Sequence, residues 1–200
     1  MIFKVLFLSS LLLSALSLSV EAMAANAPKS GEYDELMLAR NPSTSMISGY
    51  FRSETGGGGF SCIFYFSGKL KSGAAEIESY FPETPNETIA GLITVNSAES
   101  VAVKLKEEHG GCSNVQHFAD ADQPAKFSMS KVHANWLEIR VVKSEQSNFF
   151  ASPKGKKPLK AYLVKGNAVG VVENHPDWVK VDYPGTLKTT TGWIRRSDLY

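Results

Sequence analysis

The stretch "FSCIFYFSG", Phe60 to Gly68, decides the fold class. Side chains of an extended strand alternate between two faces. Phe60, Cys62, Phe64 and Phe66 therefore fall on one side, and Ser61, Ile63, Tyr65 and Ser67 on the other. Cys62 thus sits on the aromatic face. Short apolar or alternating runs return in "AAEIESY" (74–80), "IAGLITV" (89–95), "SVAVKLK" (100–106), "KFSMSKV" (126–132) and "WLEIRVV" (136–142), with turn-rich "PETPNET" and "DADQP" between them. Upstream, "YDELMLAR" and "SMISGYFRS" flank "NPST", where Pro42 suits the second place of a tight turn, so these runs predict a hairpin. One competing helical turn is expected inside Glu32 to Arg40. Gly56 to Gly59 lack the Lys-Ser/Thr of a phosphate cradle and read as a hairpin tip. Long helical periodicity is absent. The sequence predicts an all-β protein whose first part is a small barrel or sandwich.

Two features of the whole chain bound where it works. Lys4 precedes an apolar run from Val5 to Val20, and Ala22, Met23 and Ala24 offer small residues at the positions a signal peptidase reads, so residues 1–24 are expected to be an export signal. The run holds sixteen residues, five of them serine, which is short of the about 20 apolar residues a membrane span requires. The mature chain is expected to be periplasmic or secreted, with no membrane span after cleavage. Charge is uneven: residues 25–137 carry nine Lys/Arg against thirteen Asp/Glu, net −4, and residues 138–200 carry eleven against six, net +5. The change of sign marks two domains, 25–137 and 138–200, and the near-zero total argues against a nucleic-acid partner.

From Val141 the chain reads as five short strands, "VVKS", "AYLVKGN", "AVGVVEN", "DWVKVDY" and "TTGWIRRSDL", separated by a Lys-rich loop and by "KGN", "HPD" and "PGTLK" turns. So short a segment buries a core only by curling into a tight barrel. The ordered elements "AYLVKG", "DWVKVDY" and "TTGWIRRSDL" resemble the bacterial SH3-like domain family, with its Lys-Gly turn, Trp-x-x-Val strand and closing Gly-Trp-Ile strand followed by Ser-x-x-Leu. The likeness spans residues 138–200 and departs at "SNFFASP", where many members have a Leu-Asn-Val-Arg type of segment. It implies an SH3-like barrel that is not itself catalytic and that engages cell-wall peptide or a protein partner.

Four residues are the candidate ligand contacts. Tyr162 and Tyr183 combine an apolar ring with a polar tip, Trp178 offers an aromatic wall, and Asp177, behind Pro176, can take an amine. Trp193 belongs to the closing strand and reads as core. Lys154, Lys156, Lys157, Lys160 and Lys165 crowd the neighbouring loop and strand, placed to steer an acidic partner or the carboxylates of wall stem peptides.

The chain has two cysteines, and an exported domain pairs them by default, so Cys62 and Cys112 are expected to form a disulfide. A different chemistry is also written there. The "HGGC" stretch, His109 to Cys112, resembles the Ser-His-Gly-Cys-x-Arg motif of L,D-transpeptidases, wall-modifying enzymes with a cysteine nucleophile. It carries one extra glycine, has Glu108 in place of Ser, and continues with Ser113 and Asn114. A thiolate and a positioned base would be needed, and a bonded cysteine has no thiolate. No nucleophile elbow, close metal-ligand spacing or cofactor motif occurs elsewhere, so no catalytic residue, metal or cofactor is expected. The sequence thus predicts a non-catalytic envelope binding protein, with inhibition of, or immunity against, a peptidoglycan-acting enzyme as a narrower hypothesis. The alternative is a cysteine-dependent wall peptidase or transpeptidase using Cys112.

Overall fold

A computed structural model of the chain describes residues 27–120, 122–185 and 187–200; the export signal expected at 1–24 lies outside the described residues. Eight strands form one antiparallel meander: β1 (Gly31–Tyr33), β2 (Leu36–Arg40), β3 (Met46–Thr55), β4 (Phe60–Lys71), β5 (Ala74–Tyr80), β6 (Ile89–Ser97), β7 (Ser100–Leu105) and β8 (Ala125–Val132). Each pairs with the next, and β8 pairs back onto β1, so the sheet closes into a barrel. Closure depends on Gly31, where a Cβ would lie 2.1 Å from the Lys131 carbonyl oxygen across the seam. The helical turn expected inside Glu32–Arg40 is not formed. That segment is β1, a turn at Asp34 with φ of 49°, and β2, because pairing to β8 and β3 outweighs the weak local preference of "YDELMLAR".

An eight-stranded barrel is just wide enough for side chains to fill, and here aromatic rings fill it. Phe51 stacks on Phe64 at 5.3 Å, and Phe118 stands edge-on to both at 5.0 Å. Phe64, Phe66 and Cys62 point inward and are fully buried, whereas Phe60, beyond the end of the barrel, is half exposed. The β3–β4 hairpin tip is the glycine turn Gly56–Gly58, as the sequence predicts.

Residues 138–200 form a four-stranded sheet in the order β14 (Thr189–Arg195), β13 (Trp178–Pro184), β12 (Ala168–Asn174), β9 (Glu138–Val141), with a separate ribbon of β10 (Gln146–Asn148) and β11 (Tyr162–Val164). Isolated bridges Val142–Leu199 and Phe150–Trp193 tie the loops and chain end to this sheet, around a core that includes Val169, Val171, Val179, Val181 and Ile194. A third apolar cluster lies between the two. Tyr50, Tyr65 and Ala39 on the outer barrel wall meet Trp136, Ile139, Val141 and Ala168. Both faces of β4 are thus covered, which is why "CIFYF" is apolar throughout. Trp136 is fully buried, with its ring 4.0 Å from His133 and parallel to it. On its other side a Cβ at Gly170 would lie 2.3 Å from the indole, so only glycine admits it. The indole N–H donates to Asp182 at 3.1 Å, and the Trp136 carbonyl accepts from the Ser30 hydroxyl at 2.9 Å.

Candidate functional site

The sulfurs of Cys62 and Cys112 are bonded to each other, 50 residues apart. The bond pins the segment 106–120 across one end of the barrel, where Phe118 plugs the interior. His109 lies in the same segment, buried, with its ring 5.1 Å from that of Phe64 and nearly parallel. Its Nε2 is 2.9 Å from the Ser79 hydroxyl, which itself donates to the Ile89 carbonyl at 2.9 Å. A hydroxyl has one proton to give, so the contact requires a hydrogen on Nε2. Burial lowers the His109 pKa from its ordinary value. Glu108 turns in beside it, and its Oε1 accepts from the N–H groups of Phe118 (2.8 Å), Ala119 (2.7 Å) and Asp120 (3.3 Å). Glu108, His117 and Asp120 each place one possible metal-ligand atom within 4.8 Å of the others. The Glu108 oxygen nearest His117 is the one already committed to the backbone, and His117 and Asp120 are exposed.

A second arrangement sits at one end of the C-terminal sheet, an open groove of about 860 Å³. Trp178, opening β13, stands edge-on to Phe150 with ring centroids 5.0 Å apart. Arg195, its partner in register on β14, holds its guanidinium carbon 5.9 Å from the indole centroid. Phe150 is fixed by two backbone hydrogen bonds with Trp193, of 2.8 and 2.9 Å. The 174–177 turn is clasped by Arg196, which donates to Asn174 Oδ1 (2.8 Å) and to the carbonyls of His175 (2.8 Å) and Pro176 (3.0 Å). The Lys-rich loop doubles back at Lys154, whose φ is 62°, so Lys154 and Lys156 line the opposite wall. The groove has an aromatic floor and four cationic side chains, Lys154, Lys156, Arg195 and Arg196, against one carboxylate, Asp177. Such a surface attracts carboxylates and gives apolar or ring-shaped groups a flat seat.

The sequence-predicted contacts divide. Asp177 and Trp178 line this groove. Tyr162 is exposed on the β11 ribbon and is not part of its lining, and Tyr183 packs against the sheet's own core. Trp193 is buried, as its core reading requires. Lys165 pairs with Glu83 of the barrel. Sequence reasoning missed Phe150 and Arg195. Phe150 lies in "SNFFASP", and its aromatic ring beside a lysine-rich loop was the available signal. Among the described residues no helix is long and apolar enough to cross a membrane, and this, with the disulfide, is compatible with an extracellular location. Comparison with family models, curated proteins and solved structures finds nothing that matches this chain.

Proposed function

We propose that the chain is an exported, non-catalytic binding protein of the bacterial envelope, whose SH3-like C-terminal part engages the carboxylate-bearing peptide of the cell wall. One observation carries this reading: the Phe150–Trp178 floor joined to the Lys154, Lys156 and Arg195 rim. Stem peptides offer several carboxylates and small apolar side chains, and Asp177 at the groove's edge suits their free amine. The bonded state of Cys112 supports binding over thiolate chemistry at that position. Co-sedimentation of the mature protein with purified sacculi tests the proposal. Binding is expected to weaken about tenfold in Trp178→Ala and to fall as salt rises. Equal sedimentation of wild type and Trp178→Ala would remove the groove from the reading. Recovery of a wall enzyme from periplasm, without sacculus binding, would move it to the inhibitor hypothesis.

A further inference from the structure

Where the barrel wall meets the C-terminal sheet, a cleft of about 290 Å³ opens between β3, β4 and β5 on one side and the segment Leu137–Arg140 on the other. It is distinct from the Trp178 groove in size, charge and lining. Its volume sits at the small end of ligand pockets, which start at about 300 Å³, so it holds one ring and not an extended peptide. One wall is aromatic: Tyr80 and Tyr65 have ring centroids 5.0 Å apart, with Tyr65 buried and Tyr80 partly accessible. Burial raises the pKa of both hydroxyls, so each is protonated at neutral pH.

The charged groups in the cleft cancel. Glu138 Oε1 takes a hydrogen bond of 2.7 Å from Arg140, whose other terminal nitrogen donates to the Tyr200 carbonyl at 2.8 Å. A charged ligand therefore gains little there. What remains is neutral hydrogen-bonding chemistry from Asn41, Thr44, Ser67 and Asn174. The Oδ1 atoms of the two asparagines are already taken, by Ser43 and by Arg196, which leaves their amide N–H groups to serve a ligand as donors. A partly accessible tyrosine face, amide donors, hydroxyls that donate and accept, and a self-neutralised ion pair match a ligand with hydroxyls around an apolar ring face.

We propose that this cleft is a second binding site and that it takes a neutral sugar ring. The inference stands without the envelope reading, which supplies only the choice of probe, N,N′-diacetylchitobiose. Titrated into the mature protein up to about 10 mM, the disaccharide is expected to shift amide resonances of Tyr80, Glu138 and Arg140 with a dissociation constant in the millimolar range. That affinity is expected to be nearly unchanged by salt, in contrast to binding in the cationic groove. Tyr80→Ala should weaken it about tenfold, Tyr80→Phe should retain it, and Trp178→Ala should leave it intact. Absence of shifts in the cleft, or equal affinity in folded Tyr80→Ala, would overturn the proposal. Failure of sacculus binding through Trp178 alone would not, because the two sites share neither residue.

Discussion

The imidazole of His109 is held between the ring of Phe64 and the hydroxyl of Ser79, and its burial disfavours the charged form. In the sequence it stands beside a cysteine as a ready base; in the fold it is a packing residue with one hydrogen bond. The consequence for pH follows from its lowered pKa. Above the unfolded value of 6.5, folded and unfolded chains are both neutral at this position and stability is unaffected. As pH falls below that value the unfolded chain takes up a proton that the folded chain resists, so stability is lost on acidification. The urea midpoint of the wild type is expected to drop between about pH 7.5 and about pH 5.5, and less so in His109→Gln, which keeps a donor toward Ser79 without the titration. Identical slopes in the two proteins would assign the acid sensitivity elsewhere.

Among the elements, the strands that local pattern specifies are the ones legible in the sequence. β5 runs Ala74–Tyr80 as its alternation predicts, and the Ser72–Gly73 turn before it takes the two positive φ values, 49° and 82°, that a tight hairpin favours. β2 was legible as the first arm of the hairpin expected around "NPST", and it pairs with β3 as that reading requires; β1 was not, because one of its partners, β8, lies at the far end of the barrel sequence. The site shows the same division. Trp178 and Asp177 are adjacent and reach the groove together, but Tyr183 is an odd number of residues beyond Trp178 on β13, and strand alternation sends it to the opposite face. That parity was available from the sequence; the approach of Phe150, from a loop without regular structure, was not. The segment 106–120 owes its position to the bond between β4 and Cys112. Closing a loop of 50 residues is worth about 4 kcal/mol in a chain-entropy account. Reduction, or paired Cys62→Ala and Cys112→Ala substitution, is expected to lower unfolding free energy by an amount of that order, read from denaturant curves. An unchanged midpoint would mean that Phe118 and the Glu108 hydrogen bonds hold the segment unaided.

For the whole molecule, the decisive surface is the apolar cluster between barrel wall and C-terminal sheet. Trp136 spans it, linked to Ser30 on the barrel side and Asp182 on the other. Two parts sharing an apolar, hydrogen-bonded interface unfold together, so calorimetry of the mature chain is expected to show one transition. Trp136→Ala should cost about 3–5 kcal/mol and separate that transition into two. A single, merely lowered transition in the variant would show that the remaining contacts of Ile139, Val141 and Tyr65 suffice for coupling.

The closed seam between β1 and β8 has a further consequence. A ring of strands has no unpaired border, and β9 lies against the ring, its Ile139 N–H donating to Ser48. Among the described residues, unpaired borders remain on β10 and β11 and on β14 outside the Phe150 bridge. Strand exchange between copies under heat or acid stress would therefore begin in the last third of the chain, leaving the aromatic ring of strands as an inert passenger.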